Sequence, residues 1–352
     1  MTITEAIRQV VDQRSLNVAE AEAVLDQIMT GQCSDAQIAA LLTALRMKGE
    51  TVEEIIGFAR VMRRRAAPVR PHTDVASEIA GTERDALIDT CGTGGDVSGS
   101  FNVSTATAFV VAGCGVRVAK HGNRSVSSQC GSADVVEALG VKIELAPEQI
   151  AACIDEVGMG FLHAPLLHDA MRYVALARRQ MGIRTIFNML GPLTNPAGAN
   201  TQVIGVYAAP LTEMLAEALR ALGSSRALVV HGTDGLDEIS ISAESKVTEL
   251  SNGQLRTYTV APEDCGLQRA PLDSIAGGDA RQNSAMILEI LGGVRGPRRD
   301  IVLLNAAAAL IASSRVSDFT EGVRLAAEAI DSGAAMNRLE RLIQFTNQAL
   351  PA

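Results

Sequence analysis

The sequence has no tryptophan, and aromatic residues make up only 3% of its 352 positions. Binding of unpaired nucleic-acid bases relies on stacked rings, so that class of partner is disfavoured. Cationic excess is missing too: 31 basic residues face 40 acidic ones, a formal charge of −9. A broad basic surface for nucleic acid is therefore excluded, and any polyanion must be held locally. No run of about 18 apolar residues free of charge occurs, so no membrane span is expected. The first residues, MTITEAIRQVVDQR, lack the basic–apolar–small order of a secretion signal. Six cysteines (Cys33, Cys91, Cys114, Cys130, Cys153 and Cys265) form no CxxC pair. They read as reduced thiols of a cytoplasmic protein, not as a disulfide framework or zinc site.

What is present is ordinary globular material, 47% hydrophobic and 20% charged. The length suggests two domains. Residues 1–70 carry nine basic and nine acidic side chains and show no strand signal. Four helix starts are marked by an oxygen-bearing side chain three residues ahead of Glu or Gln: Thr2/Glu5, Asn17/Glu20, Ser34/Gln37 and Thr51/Glu54. Gly31 and Gly49 read as stops for the second and third helices. Ile38, Leu41, Leu42 and Leu45 share one helical face. A small all-helical domain is expected over 1–70, with residues 165–190, again helical, joining it.

From residue 75 to 352 short apolar runs alternate with helical stretches, the pattern of a large α/β domain with a largely parallel central sheet. Strands are expected at 87–91, 116–120, 203–207 and 227–231, and helices at 104–114, 133–139, 212–222 and 283–291. A hairpin is expected around the Asn252-Gly253 turn.

Three loops carry the chemistry. After the first strand comes Gly92-Thr93-Gly94-Gly95-Asp96, followed by Asn102-Val103-Ser104-Thr105 at the start of a helix. Glycines let backbone N–H groups converge beside a helix N-terminus, which suits a phosphate and equally serves a plain strand–helix turn. The pattern is neither GxGxxG nor a Walker loop. Ser104 or Thr105 is expected to cap the helix, with metal or phosphate contact as the other reading. After the second strand, Lys120, His121, Gly122, Asn123, Arg124, Ser125, Val126, Ser127 and Ser128 supply donors. The window 92–128 holds three basic residues and one acidic, so it is locally positive in an acidic chain. Neighbouring strands of an open sheet present such loops to one crevice. After a later strand, Asp234-Gly235-Leu236-Asp237-Glu238 offers adjacent carboxylates of the kind that share Mg²⁺ with substrate phosphates, or that simply face solvent. Asp234 is assigned to the turn. In the helix that follows residue 168, one arginine among Arg172, Arg178, Arg179 and the nearby Arg184 suits a substrate carboxylate. The Gly and Pro density of the 191–198 connector demands a fixed backbone and does not itself indicate chemistry.

Taken in order, GTGGD at 92–96, NVST at 102–105, KHGNR at 120–124, GPLTNPAG at 191–198, DGLDE at 234–238, GGDARQNS at 277–284 and RDIVLLNAAAAL at 299–310 resemble the anthranilate phosphoribosyltransferases nearly end to end. Ser284 replaces the alanine usual there. The resemblance implies a homodimer with a cleft between the two domains. It implies transfer of the 5-phosphoribosyl group of phosphoribosyl pyrophosphate to the amine of anthranilate, for tryptophan biosynthesis. It assigns the phosphoribosyl pyrophosphate site to Gly92, Gly95, Asp96, Ser100, Asn102 through Thr105, Lys120 through Ser128, and Ser132. It assigns Mg²⁺ to Ser104, Asp237 and Glu238, and anthranilate to Gly92, Asn123 and Arg178, with Pro165 and His168 along the acceptor's approach. Lys120, Asp237 and Glu238 are the expected catalytic groups. The rival readings are a pyrimidine nucleoside phosphorylase and a non-catalytic paralogue that binds phosphoribosyl pyrophosphate or nucleic acid.

Overall fold

The computed structural model describes residues 1–72, 87–94, 99–125 and 129–348. Gly95, Asp96, Val126, Ser127 and Ser128 lie outside the described residues. Four helices open the chain: α1 (Ile3–Val11), α2 (Val18–Met29), α3 (Asp35–Lys48) and α4 (Val52–Arg65). Each starts in a reciprocal capping box at the pair the spacing predicts. Those side chains satisfy backbone N–H groups that no helical carbonyl can reach, so the starts are fixed locally. Gly31 and Gly49 follow α2 and α3 with φ of 74° and 89°. Ile38, Leu41, Leu42 and Leu45 are all buried.

The second body is a seven-stranded sheet in the order β3-β2-β1-β4-β5-β6-β7. Its strands are β1 (Leu87–Gly92), β2 (Arg117–Gly122), β3 (Met159–His163), β4 (Thr201–Gly205), β5 (Arg226–Gly232), β6 (Ser245–Ser251) and β7 (Gln254–Val260). The first five run parallel, and β6 and β7 complete the sheet antiparallel. The hairpin between them turns at Asn252 and Gly253, both with positive φ. The chain thus has a small helical N-terminal domain and a larger α/β domain with a mostly parallel sheet, as its alternating pattern predicts. Strand β3 has no counterpart in that pattern.

Between β1 and β2 runs α5 (Val103–Gly113); α6 (Ser132–Ala138) and α7 (Pro147–Val157) lead to β3. The chain then passes through α8 (Ala164–Leu167), α9 (Arg172–Met181) and α10 (Phe187–Leu190) before β4. Helix α11 (Leu211–Ala221) precedes β5, and α12 (Ala280–Leu291), α13 (Pro297–Ala312), α14 (Phe319–Asp331) and α15 (Ala334–Asn347) follow the sheet.

Successive strand residues point to opposite faces, and the two faces serve different cores. Val203, Leu228 and Val230 belong to a cluster with α5, α13, α14 and α15. Ile204, Ala227 and Val229 belong to a second cluster with α11, α1–α4 and the buried side chains of α9 and α10. Val174 and Ala177 of α9 lie in this second cluster beside Leu25, Ile38 and Leu45. Among the described residues no helix is long and apolar enough to cross a membrane.

Candidate active site

Parallel strands β1, β2, β4 and β5 all end in glycine, at Gly92, Gly122, Gly205 and Gly232. Loops therefore pack onto the carboxyl edge of the sheet more closely than side chains would allow. A Cβ on Gly92 would lie 2.6 Å from Asp237 Oδ2. Gly92 pairs with Gly205 across β1 and β4, and a Cβ on Gly205 would lie 2.5 Å from the Asp237 carbonyl carbon. The acidic loop thus sits directly on the glycine turn. Gly94 donates its N–H to Asp237 Oδ2 at 2.9 Å, and Thr93 donates its own to Gly205 O at 2.8 Å. Asp234 serves the turn, accepting from Leu236 N–H at 3.3 Å and from the Ser240 hydroxyl at 2.6 Å.

Lys120 is 1% exposed. Its Nζ donates to Thr90 O at 2.6 Å and to Ser104 Oγ at 3.3 Å, so one ammonium ties β2 to β1 and to the start of α5. Burial pulls its pKa down, while Asp89, Cys91 and Glu238 pull it back up. Its charge therefore lies beneath the crevice floor rather than on its surface. Asp89, fully buried, accepts from His121 N–H at 3.1 Å and from Asn195 Nδ2 at 2.9 Å. The nominally inert connector thus supplies Asn195, which also donates to Ala119 O at 2.8 Å and fixes β2 against β1.

Neither Ser104 nor Thr105 caps α5. The N-cap residue is Asn102, and no side chain accepts from the first turn. Ser104 Oγ instead receives the Lys120 ammonium, and Thr105 Oγ1 is buried without a partner. The spacing misleads because the side chain of Asn102 is claimed from afar: it donates to Cys130 O at 3.2 Å and accepts from Asn283 Nδ2 at 2.9 Å. Asn283 also accepts from Gly278 N–H at 2.7 Å. The 277–278 glycines lie against 99–101: Gly277 donates to Gly99 O at 2.8 Å, and Ser100 forms a bridge with Ala276. Val103 is buried behind them. Asn305 of α13 accepts from Ile239 N–H at 2.9 Å and donates to Ile239 O at 3.0 Å, clamping the residue after Glu238. Asn283 and Asn305 belong to motifs visible in the sequence, but nothing local reveals which loops they hold.

Past Gly122, a Cβ would meet the Phe161 ring at 2.6 Å, and Ser132 Oγ lies nearer still. Ser132 accepts from Asn123 N–H at 3.2 Å. Arg124 pairs with Asp134 at 3.0 Å and Glu137 at 2.8 Å, and Ser125 N–H donates to Asp134 at 3.1 Å. In this arrangement the Arg124 guanidinium faces α6.

On the other side of the sheet edge, His121 and His168 are buried with ring centroids 5.1 Å apart. Burial and the proximity of His168 push the pKa of His121 down to about 3, and burial lowers that of His168 to about 4. Both rings are neutral. His121 Nδ1 lies 3.2 Å from Gly191 O, at the end of α10. Phe187 of α10 carries the Arg178 guanidinium 5.3 Å above its ring. Burial alone lowers the Arg178 pKa, with no carboxylate contributing. Arg172, by contrast, is exposed and paired with Asp169. Pro165 is exposed in α8, three residues before His168.

Among the described residues no group of three or more His, Cys, Asp or Glu is placed to hold a metal ion. A metal held by protein alone does not fit. An ion held by two carboxylates and completed by substrate oxygens does, and Asp237 and Glu238 are the hard oxygen donors available.

A model of the glycosyl transferase family helical bundle domain matches residues 4–66, and one of that family's α/β domain matches residues 84–336. Anthranilate phosphoribosyltransferase from Citrifermentans bemidjiense is 53% identical, covering 99% of each chain. That from Symbiobacterium thermophilum is 56% identical, covering 97% of each. The crystal structure of the Thermus thermophilus enzyme superposes with a TM-score of 0.89 at 44% identity, covering 97% of this chain and 99% of that one. The Saccharomyces cerevisiae enzyme in complex with PRPP and Mg superposes with a TM-score of 0.86 at 27% identity, covering 98% of this chain and 97% of that one. With likeness of this extent in both domains, the chain belongs to the anthranilate phosphoribosyltransferase family.

Proposed function

We propose that this chain transfers the 5-phosphoribosyl group of phosphoribosyl pyrophosphate to the amine of anthranilate, releasing pyrophosphate, in tryptophan biosynthesis. The observation that carries the reading is the joint at the sheet edge, where the Asp237 carboxylate takes the Gly94 N–H and its backbone packs onto Gly205. That joint sets an acidic pair against a glycine turn, as a shared metal-and-phosphate site requires. Full-length likeness to anthranilate phosphoribosyltransferases disfavours the nucleoside phosphorylase and the non-catalytic paralogue.

On this reading Gly92, Gly95, Asp96, Ser100, Asn102–Thr105, 120–128 and Ser132 bind the phosphoribosyl donor. The uncapped start of α5 offers it N–H groups. Lys120 acts from below, adding positive potential through Thr90 and Ser104. Ser104, Asp237 and Glu238 would hold Mg²⁺, the ion present with PRPP in the yeast complex. Magnesium, when bound, offsets charge on the departing pyrophosphate. Arg178 has the environment of a carboxylate receptor and would orient anthranilate, with Gly92 and Asn123 on the acceptor's other side. Neutral His168 and Pro165 would line its approach. An aromatic amine already carries a free lone pair, so positioning supplies much of the rate and no strong base is needed. A closed crevice would keep water from the reactive sugar.

Residues 165–190 are assigned to the helical domain together with 1–70, supported by the cluster that Val174 and Ala177 share with α1–α4. Homodimerisation through that domain is supported by exposed apolar side chains: Met47 is 80% exposed, Ile183 50% and Leu176 44%. Six free cysteines support a cytoplasmic protein.

The test is loss of anthranilate fluorescence with phosphoribosyl pyrophosphate and Mg²⁺. Consumption is expected; none by folded protein, or phosphorolysis of a pyrimidine nucleoside instead, would overturn the reading.

A further inference from the structure

Arg178 stands out as a guanidinium largely removed from water with no carboxylate beside it. Arg63 carries the same signature. Its pKa is lowered by burial alone. Its neighbours in the last turn of α4 turn outward, Arg64 to Glu22 at 2.7 Å and Arg65 to Asp26 at 2.7 Å. Arg63 turns inward instead, donating Nε to Leu193 O at 2.6 Å and Nη1 to Leu222 O at 3.1 Å. Those two carbonyls satisfy part of a five-donor group and none of its charge.

Arg63 lines a cavity of about 220 Å³ together with Pro68, Asn195, Asn200, Leu222 and Ser224. Among the described residues no Asp or Glu lines it. Asn200 directly precedes β4 and Ser224 lies just before β5, so the cavity opens at the amino ends of these strands, away from the crevice at their carboxyl ends. We propose that this cavity binds a small oxyanion or carboxylate on Arg63, at a site separate from the phosphoribosyl crevice.

Charge and size select the ligand class. A lone cation in a recess without acids favours an anion, and Asn200 and Ser224 add polar groups to the walls. The volume admits sulfate, phosphate or a short-chain carboxylate and is below that of sites for drug-sized ligands. The walls come from both domains: Arg63 from α4, and Asn195 and Asn200 from the connector before β4. Asn195 in turn holds Asp89 and Ala119. An anion there therefore bridges the helical domain to the strands that carry the glycine and basic loops.

Selenate soaked into crystals of the full-length protein tests the proposal by its anomalous scattering, and malonate tests the carboxylate arm in solution. An anomalous peak within hydrogen-bond distance of the Arg63 guanidinium is expected in the wild type and absent in Arg63→Met. Ser224→Asp puts a carboxylate into the same cavity and should abolish the peak without touching Arg63, so a fold lost in Arg63→Met leaves the test intact. In solution, the rise of Tm with malonate at fixed ionic strength should be smaller in Ser224→Asp than in wild type. No peak at Arg63 in crystals whose phosphoribosyl crevice holds selenate would overturn the proposal. So would wild-type peaks and malonate slopes in the Ser224→Asp variant.

Discussion

Gly205→Ala offers the most direct test of the joint between the acidic loop and the sheet. Gly205 ends β4 between Gly92 of β1 and Val230 of β5. A methyl group there would lie 2.5 Å from the Asp237 carbonyl carbon. Non-bonded carbons rest at about 3.5 Å and the Asp237 carbonyl oxygen lies nearer still, so the loop must retreat by more than about 1 Å. The obstacle is backbone, so no side-chain rotation relieves it. A retreat of that size lifts Asp237 and Glu238 away from the glycine turn. Misplacement by about 1 Å costs on the order of 10²-fold in rate, or about 2.7 kcal/mol of barrier. Overpacking should also reduce stability by about 1–3 kcal/mol. The assay is anthranilate fluorescence under saturating donor, repeated across a magnesium series. A kcat lowered about 100-fold and a magnesium response moved to higher concentration are expected. Gly191→Ala is the control, because a Cβ there meets nothing within 4 Å. A Gly205→Ala enzyme within about twofold of wild type would refute the reasoning.

Arg178→Ala should raise the anthranilate KM about 10- to 100-fold, the worth of charge-assisted hydrogen bonds to a carboxylate, with the donor KM nearly unchanged; equal rises in both would make Arg178 structural. Asn283→Ala removes the bonds to Asn102 and Gly278 and should raise the donor KM by about tenfold, and steady-state kinetics showing only a kcat change would refute that role. His121 and His168 have folded pKa values of about 3 and about 4, below the unfolded value of about 6.5. The unfolded chain therefore binds more protons as pH falls, and stability present above pH ~6.5 is lost down to about pH 4 for His168 and about pH 3 for His121, at up to about 1.4 kcal/mol per pH unit for each ring. Urea unfolding at pH 7 and pH 5 should show a smaller acid loss in His168→Gln; parallel curves would rule His168 out as a source.

Local signals are legible in the sequence and long-range ones are not. The capping boxes of α1–α4 span three residues each, so both partners stand side by side in the chain. The hairpin at Asn252-Gly253 is readable for the same reason. Strand β3 escapes notice because Met159–His163 passes directly into α8 at Ala164, so no turn closes the apolar run. The start of α5 is misleading because the side chain of Asn102 is engaged by Asn283, 181 positions away. Asn195 and Asp89 are 106 positions apart, and the connector looks inert because its partner is out of sight. Of the candidate site, the loops are legible from glycine and charge. The asparagines that hold them are not, since an amide side chain looks alike whether it faces water or clamps a distant strand.

The second apolar cluster has a consequence for how the chain is made. Helices α1–α4 are complete by residue 65, yet their core includes Val174, Phe187 and Leu190, and beyond them Ile204 and Val229. On a ribosome, roughly a hundred residues or more must follow before that face can be covered. Each helix can start on its own capping box while its apolar side waits exposed. A nascent chain halted near residue 150 should therefore be sticky and sensitive to protease, and one extended past β5 should not.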